Sequence, residues 1–299
     1  MKNIIAVIVT YNRLNLLKEC IDAVRNQTFP VQKIIVVNNG STDGTGEWLE
    51  LQNDIAVKHQ ENLGGSGGFY TGIKDASAYN CDWVWIMDDD TICEQNALFL
   101  LVRKLSVFEA EKVGFICSKG LWTDGSPHLM NIVDIKPVFN KIIPFNKYDQ
   151  HNLFLTEGCS FVSVLINMEA VKKLGLPYKE FYIWGDDQEY THRITKAGYL
   201  GLYCPESIVL HKTPKNYFAY IVTDSPANLW KHEYGFRNEF FQVKKNKNFF
   251  HYLVYVFGII AFISVKILKN RKDNKLKYIG TLFKSAWSSL FFNPKIDMI

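Results

Sequence analysis

The 299-residue sequence lacks the features that mark several common classes of protein. Its six cysteines form no Cys-x-x-Cys pair and show no metal-ligand spacing, a pattern that favours reduced thiols in a cytosolic protein. The first apolar run, residues 4–9, is too short for a signal-peptide core and is soon interrupted by Tyr11-Asn12-Arg13, so export is not expected. The sequence also has no internal repeat and no low-complexity linker.

Net positive charge is concentrated in one region of the sequence. The segment 244–277 contains nine Lys or Arg residues and one acid, Asp273, a net charge of +8. Because the whole chain carries +4, the other residues carry −4. A mildly acidic body argues against general nucleic-acid binding, and the basic segment fits an anionic membrane surface better. Hydrophobic content of 47% argues against wholesale disorder.

The first 112 residues alternate between strand and helix patterns. Apolar runs predict strands over 4–10, 33–37, 55–59 and 83–87, with helices between them. This alternation predicts a doubly wound, mostly parallel sheet flanked by helices. Beyond residue 113 the pattern loosens. It predicts strands over 113–117, 159–166, 201–203 and 208–210, a helix over 168–174, and a long loop or hairpin over 127–150.

Three carboxylates, Asp88-Asp89-Asp90, follow directly on the apolar run 83–87. In open α/β sheets, ligands bind at the carboxyl ends of the strands. Adjacent carboxylates repel one another unless a cation lies among them, and oxygen ligands suit Mg²⁺ or Mn²⁺ shared with substrate phosphates. The sequence therefore predicts a divalent-cation site here, with a solvated acidic turn as the alternative.

Small and polar residues end the neighbouring elements at the same edge of the predicted sheet: Thr10-Tyr11, Asn38-Asn39 and the Gly-rich segment 62–69. They allow backbone amides to approach a nucleotide closely. A dinucleotide-binding fingerprint belongs after the first strand, where Thr10-Tyr11-Asn12-Arg13 contains no glycine, so a dehydrogenase is not expected. A metal-bound nucleotide diphosphate explains both the glycines and the carboxylates.

A second acidic cluster, residues 184–189 (Trp-Gly-Asp-Asp-Gln-Glu), opens a helix predicted to continue through Ala197. Helix capping explains one carboxylate in the first turn. Two adjacent aspartates, Asp186 and Asp187, are more than capping requires, so we expect them to have a functional role.

Residues 249–268 are almost entirely apolar and approach the length that spans a bilayer. Basic residues flank both ends, so charge does not force a crossing. The downstream segment places its apolar residues on one helical face, which is the pattern of an interfacial helix: Ile279, Leu282, Phe283, Ala286, Trp287, Leu290 and Phe291. We expect monotopic attachment to the cytoplasmic leaflet. A core helix, or an interface in a homo-oligomer, is the alternative.

Taken together, residues 8–13, residues 36–44 and the aspartate triplet resemble family 2 glycosyltransferases of the GT-A fold, over roughly residues 1–240. The Gly-rich segment with the triplet further resembles bacterial galactofuranosyltransferases. Related rhamnosyltransferases carry two aspartates and a downstream Asn-Pro-Asp, which residues 91–94 (Thr-Ile-Cys-Glu) do not match. The family commonly has Asp where this chain has Asn38, which puts one uridine contact in doubt.

The resemblance implies roles for individual residues. Asp88, Asp90 and His211 would hold Mn²⁺ or Mg²⁺. Asp187 would deprotonate the acceptor hydroxyl, and Asp186 would bind acceptor hydroxyls. The segment 231–238 would contact the diphosphate or an anionic acceptor. Donor or acceptor binding is expected of a larger group: Thr10, Tyr11, Arg13, Asn38, Asn39, Gly64, Gly65, Gly67, Gly68, Asp89 and Trp184.

The expected function is metal-dependent, inverting transfer of galactofuranose from UDP-galactofuranose to a lipid-linked or polysaccharide acceptor at the inner face of the cell membrane. A rhamnosyltransferase using dTDP-rhamnose is the alternative enzyme, and a non-catalytic nucleotide-sugar-binding scaffold is the alternative of another class. The expected organisation is a catalytic domain over 1–243, with a nucleotide-sugar half over about 1–112 and an acceptor half over about 113–243. A membrane-associating helical tail would follow over 244–299.

Overall fold

The computed structural model describes residues 2–108, 112–135 and 143–299. The loop or hairpin predicted over 127–150 includes residues 136–142, which lie outside the described residues. The fold is a central sheet flanked by helices, as the sequence predicts.

The first part of the chain alternates strands and helices. Its elements are β1 (Ile4–Thr10), α1 (Leu14–Arg25), β2 (Lys33–Asn38), α2 (Thr45–Glu50), β3 (Ile55–His59), α3 (Gly64–Ala76), β4 (Trp83–Asp88), β5 (Thr91–Cys93) and α4 (Ala97–Leu105). β1 lies between β2 and β4 and is parallel to both, and β3 is parallel to β2. Amphipathic spacing explains the helices: α1 buries Leu17, Cys20, Ile21 and Val24 against the sheet.

The second part of the chain, from residue 113, extends the same sheet with a different pairing. Its elements are β6 (Val113–Leu121), β7 (Phe154–Leu155), β8 (Val164–Asn167), α5 (Met168–Leu174), α6 (Asp186–Lys196) and β9 (Leu200–His211). The strand order is β3-β2-β1-β4-β8-β6-β9-β5, with β7 on β9. β8 is antiparallel to both β4 and β6, whereas β6 and β9 are parallel to each other, so the sheet is mostly parallel with antiparallel strands inserted.

Two strands differ from the sequence-based prediction. The strand predicted over 159–166 begins only at Val164, because Ser163 has a left-handed φ of 59°, which interrupts the extended backbone. The two short strands predicted near 201–203 and 208–210 form one strand, β9. Its pairing with β6 shifts register between Ser118 and Lys119, and this irregularity accommodates Pro205-Glu206 within the strand.

Two apolar clusters cover the two faces of the sheet. Trp83 and Trp85 both belong to the cluster that packs under α1 and α4, so neither is available to stack on a sugar. Val84 and Ile86 point to the opposite face, as strand alternation requires.

The C-terminal region is helical and consists of α7 (Leu229–Asn246), α8 (Phe249–Asn270) and α9 (Lys275–Phe291). The boundary expected between residues 243 and 244 falls inside α7. Lys244 Nζ donates to the carbonyls of Ser289 and Phe292, at 2.6 and 2.9 Å, so α7 caps the end of α9. The chain then returns to the catalytic fold, where Asp297 accepts hydrogen bonds from Tyr70 Oη and Lys179 Nζ.

The outer side of α8 and α9 is apolar. By length and composition, α8 is the one helix among the described residues that is suited to cross a membrane, and 28% of its most apolar 18-residue window is buried. A core helix would be mostly buried. α9 buries its small polar side chains, such as Ser285, whose hydroxyl donates to the carbonyl of Glu233, and it exposes Phe283 and Trp287. The sequence predicts that the apolar residues of α9 share one helical face. Much of that face is exposed, although Leu282 on it is buried.

Candidate active site

Strand register brings the polar strand ends together. Thr10 at the end of β1 is level with Asn38 on β2, and Val9 is level with Asp88 on β4. A cavity of about 1240 Å³ opens at this edge of the sheet. Both acidic clusters found in the sequence line it.

His211 reaches the aspartate triplet through the pairing of β5 with β9. Thr91 is opposite His211 in the register, and Lys212 N donates to the carbonyl of Asp90 at 2.9 Å. His211 Nε2 therefore lies 3.2 Å from Asp90 Oδ1. One potential ligand atom from each of Asp88, Asp90 and His211 lies within 4.8 Å of the others.

These three side chains fit a divalent cation. Asp90 Oδ1 is buried and has no hydrogen bond of acceptable geometry, although His211 Nε2 is close to it. Carboxylate oxygens with an imidazole nitrogen suit Mn²⁺, and the oxygen ligands also suit Mg²⁺.

Burial and the neighbouring charges shift the pKa values of Asp88 and Asp90 in opposite directions. Burial, followed by the charges of Asp90 and Asp89, raises the pKa of Asp88 well above its ordinary value. Burial opposes ionisation of Asp90 too, but His211 (when its ring is charged) and Arg13 outweigh it and lower the pKa of that carboxyl. A bound cation would relieve the repulsion that contributes to the raised pKa of Asp88.

Asp89 is held by protein groups. Its side chain accepts hydrogen bonds from Thr10 Oγ1 at 2.7 Å, Tyr11 N at 3.3 Å and Arg13 Nη1 at 3.3 Å. It is only 3% exposed, and burial, partly offset by Arg13, raises its pKa to about 6. Arg13 Nη1 also lies 2.5 Å from Asp90 Oδ2, so its guanidinium spans the two carboxylates.

The Gly-rich segment forms the first turns of α3 rather than a loop before it. Gly64 has a φ of +73°, and a Cβ there would lie 2.0 Å from the carbonyl oxygen of Tyr182. Gly64 and Gly65 line the cavity, and Gly67 and Gly68 are not among its lining residues. A Cβ on Gly68 would lie 2.3 Å from Val9 Cγ1, so this glycine lets α3 pack closely on β1.

The two adjacent asparagines after β2 have different positions. Asn39 lines the cavity and fixes the start of α3, donating from Nδ2 to the carbonyl of Gly64 at 2.8 Å. Asn38 is not among the lining residues. Its Oδ1 accepts from Ser41 N at 3.0 Å, and its Nδ2 lies 3.2 Å from His59 Nδ1, so it organises the turn after β2.

The loop before α6 carries unusual backbone angles. Tyr182, Trp184 and Gly185 all have positive φ, of 65°, 64° and 85°. Such conformations are unfavourable for non-glycine residues and persist only where the surroundings impose them. Here the fully buried Asn238 imposes them, since its Nδ2 lies within hydrogen-bond distance of the carbonyls of Phe181 (3.0 Å), Ile183 (3.2 Å) and Trp184 (2.8 Å).

The segment 231–238 was expected to contact the diphosphate or an anionic acceptor, but only part of it lies at the cavity. Arg237 Nη2 donates to the carbonyl of Glu180 at 2.7 Å, so Arg237 and Asn238 position the loop and do not line the cavity. Of that segment, Lys231 does line it. Burial and the nearby charge of Arg13 lower the pKa of the Lys231 ammonium group.

Asp186 and Asp187, the first residues of α6, both line the cavity. Burial raises the pKa of each carboxyl, and the charge of Asp187 raises the pKa of Asp186 further. Asp187 is the more accessible of the two, and its Oδ1 accepts from Gln188 N at 2.7 Å. Glu189 is paired with Arg193 through two hydrogen bonds of 2.6 and 3.2 Å and does not line the cavity.

Several lining residues were not identified from the sequence. Ser66 lies in the first turns of α3, and its buried hydroxyl is close enough to Asp186 to lower the pKa of that carboxyl. Asn131 lies in the segment 127–150, for which the sequence predicts only a loop or hairpin. Neither has a sequence signal of its own, although Ser66 stands inside the glycine run.

The fold and this site define a glycosyltransferase of the GT-A type. Residues 5–175, more than half of the chain, match the model of the family named Glycosyl transferase family 2. The chain belongs to this family.

Curated relatives agree with this assignment. Galactofuranosyltransferase GlfT1 of Mycobacterium tuberculosis is 26% identical over 224 residues, covering 70% of each chain. Poly-beta-1,6-N-acetyl-D-glucosamine synthase of Staphylococcus aureus is 25% identical over 281 residues, covering 90% of this chain and 64% of the relative.

Solved structures share the fold at low sequence identity. GalNAc-T7, crystallised with UDP, GalNAc and Mn²⁺, has a TM-score of 0.58 and 17% identity. The match covers 82% of this chain and about half, 48%, of that chain. The mannosyltransferase PcManGT of Pyrobaculum calidifontis, in complex with GDP-Man and Mn²⁺, has a TM-score of 0.56 and 15% identity, covering 97% and 87%.

Proposed function

We propose that this glycosyltransferase transfers galactofuranose from UDP-galactofuranose to a lipid-linked or polysaccharide acceptor, with inversion at the anomeric carbon. One observation carries the proposal: the Asp88, Asp90 and His211 group and the Asp186-Asp187 pair line the same cavity. A scaffold that only binds nucleotide sugars has no need of the second pair. The similarity to GlfT1 over 70% of each chain supports galactofuranose as the sugar.

Asp88, Asp90 and His211 would hold Mn²⁺ or Mg²⁺. The bound cation would neutralise charge on the departing diphosphate. Mn²⁺ is named in two of the structures that share the fold, which makes it the first ion to test. Arg13 and Lys231 line the same cavity and would add positive charge beside the phosphates.

Asp187 would act as the general base. A carboxylate with a raised pKa accepts a proton more readily than an ordinary one. The proton moves from the acceptor hydroxyl to Asp187, and the acceptor oxygen bonds to the anomeric carbon. The bond from that carbon to the phosphate oxygen breaks, and its electron pair leaves with UDP. Attack from the face opposite the leaving group inverts the centre.

A donor screen tests this assignment. The purified full chain is incubated with Mn²⁺, a lipid extract as acceptor, and UDP-galactofuranose, dTDP-rhamnose or UDP-N-acetylglucosamine, and products are detected by mass spectrometry. The last donor is included because the relative that covers 90% of this chain is a poly-N-acetylglucosamine synthase. Transfer from UDP-galactofuranose is expected. Transfer from either other donor alone would overturn the choice of sugar, and no transfer or donor hydrolysis would favour the scaffold.

The outer face of α8 and α9 supports a location at the membrane surface. Large apolar side chains such as Phe257 (64% exposed) and Trp287 (67% exposed) lie on it, and an exposed apolar surface of this kind marks an interaction site. The basic residues over 244–277 other than Lys244 and the buried Arg271, which bind backbone carbonyls within the protein, would add about 1 kcal/mol each near an anionic leaflet. Phe218 and Trp230 are exposed and also line the cavity, which suits an acceptor carried by a lipid.

Vesicle flotation at low and high salt tests the location. Truncation at about residue 246 is unsuitable, because Arg271 Nη1 donates to the carbonyls of Val222 and Asp224 beside the cavity, each at 2.9 Å. The double variant Phe257→Ser/Trp287→Ser keeps these contacts and should lose flotation with anionic vesicles. Leu51→Ser, an exposed leucine on the nucleotide-sugar half, is the matched control and should float normally. If the wild type stays soluble and elutes as a dimer that the double variant dissociates, the face is a subunit interface.

A further inference from the structure

His211 is held at its second ring nitrogen by Asn131. His211 Nδ1 lies 2.8 Å from Asn131 Oδ1, and Asn131 Nδ2 donates to Ser160 Oγ at 2.7 Å. In this arrangement the carboxamide nitrogen faces Ser160 and the carboxamide oxygen faces the imidazole. An amide oxygen has no hydrogen to give, so the proton of the pair must be on His211 Nδ1.

This proton position determines what the other ring nitrogen can do. With the proton on Nδ1, the neutral imidazole carries a lone pair on Nε2. That nitrogen is the one directed at Asp90 Oδ1, 3.2 Å away, where the oxygen is buried and lacks a hydrogen bond. A lone pair and a carboxylate oxygen converge on one point, which is the arrangement a cation requires.

A second histidine supports the face of the ring. His128 is almost fully buried, and its ring centroid lies 4.3 Å from that of His211 at an interplanar angle of 33°. His128 Nδ1 accepts from Met130 N at 3.1 Å, so its Nε2–H donates to Thr213 Oγ1 at 2.7 Å. His211 is therefore restrained at its edge and at its face.

The segment that carries both residues is fixed to β6. His128 N donates to the carbonyl of Gly120 at 3.0 Å, and Asn131 N donates to the carbonyl of His128 at 3.0 Å. A Cβ on Gly120 would lie 2.9 Å from Asn131 Cβ, so glycine at position 120 permits the close approach.

We propose that Asn131 is a positioning residue that presents His211 Nε2, unprotonated, to the divalent cation. The inference rests on the metal role given to His211 in the proposed function. It adds that the residues behind His211 set its tautomer and orientation before any ion binds.

Mn²⁺ binding to the full chain, followed by electron paramagnetic resonance without any donor, tests the proposal. Asn131→Leu removes the acceptor at similar volume and should weaken Mn²⁺ binding by about 10- to 100-fold, the usual effect of losing such a partner. Asn131→Asp keeps an oxygen acceptor and should restore binding to within a few-fold of wild type. Leu129→Ala, in the same segment, is the control and should bind normally.

A second readout needs no metal. Nitrogen NMR of histidine-labelled, metal-free protein should show His211 protonated on Nδ1 in the wild type and a mixture of tautomers in Asn131→Leu. His211→Ala identifies the signal. Ser160→Ala, which frees the carboxamide to rotate, should give an intermediate spectrum and serves if Asn131→Leu does not fold.

The outcomes separate the inference from the proposed function. If His211→Ala leaves Mn²⁺ affinity unchanged, His211 is not a ligand and the metal role fails. If His211→Ala weakens binding but Asn131→Leu binds normally and keeps the wild-type tautomer, the positioning role of Asn131 is wrong while the metal role stands.

Discussion

Thr10 Oγ1 donates a 2.7 Å hydrogen bond to Asp89 Oδ2, and this contact ties the end of β1 to the end of β4. Both residues are buried, although 79 positions separate them. The middle acid of the triplet thus anchors the loop that carries Asp88 and Asp90. The three carboxylates therefore have different roles, which substitutions can separate.

Thr10→Val should destabilise the fold by about 1–3 kcal/mol, because it leaves the buried Asp89 carboxylate without its shortest hydrogen bond. Thermal or urea unfolding measures the change. Thr28→Val is the matched control, since the hydrogen bonds of Thr28 Oγ1, to Asn96 Oδ1 at 3.0 Å and to the carbonyl of Gln95 at 3.4 Å, are both exposed. An equal loss of stability in both variants would show that the Thr10–Asp89 hydrogen bond contributes no more to stability than an exposed one.

Asp187→Asn should lower kcat by about 10²- to 10⁴-fold, the usual contribution of a general base, and leave donor affinity within a few-fold. Steady-state kinetics with a donor-binding titration separate the two effects. Asp186→Asn should raise the acceptor KM more than it lowers kcat. If Asp186→Asn alone abolishes turnover, the two aspartates exchange roles. Glu189 is removed from the candidates by its pairing with Arg193.

Activity should fall at acidic pH as Asp187 becomes protonated. Its carboxyl must be ionised to accept the hydroxyl proton, and burial raises its pKa above the ordinary 3.8. The acid limb of kcat/KM should therefore lie clearly above pH 3.8, with activity rising as pH rises through it. Circular dichroism over the same range must show that the protein stays folded. A limb at the ordinary carboxyl value would contradict the raised pKa.

Asn238→Ala should reduce both stability and turnover. It removes the amide that lies against three carbonyls of the loop with left-handed Tyr182 and Trp184, so the strained backbone loses its restraint. We expect a stability loss of about 1–3 kcal/mol and a lower kcat, with donor affinity nearly unchanged. Asn246→Ala, exposed on the same helix, should change neither quantity. Normal turnover in a destabilised Asn238→Ala would show that loop geometry does not limit catalysis.

Local pattern was sufficient to predict the first part of the fold. β1 was predicted at its observed limits because a buried parallel strand is apolar on both faces. β3, a partly exposed edge strand, was also predicted at its observed limits. β9 was divided in two because Pro205-Glu206 resembles a turn, and only its pairing with β6 shows that the strand continues.

Several features of the site depend on contacts between residues that are distant in sequence, and local sequence patterns do not reveal such contacts. Gly67 and Gly68 belong to the same glycine-rich run as Gly64 and Gly65, yet neither lines the cavity, and Gly68 packs against Val9 of β1. Asn131 gains its position largely through Ser160 and His211, which are 29 and 80 positions away along the chain. Asp88 ends β4, Asp90 lies in the turn before β5, and His211 ends β9, so the pairing of β5 with β9 brings the three residues together.

Arg271 connects the helical region to the cavity. Its guanidinium lies 3.7 Å from the ring centroid of Tyr278 and donates to the backbone of the segment 221–225, part of which lines the cleft. Coupling between two sites is reciprocal in free energy. If a bilayer on α8 favours one arrangement of the segment 221–225, a ligand that favours the same arrangement must tighten bilayer attachment by the same factor. The affinity of the protein for vesicles would then report whether the cleft is filled.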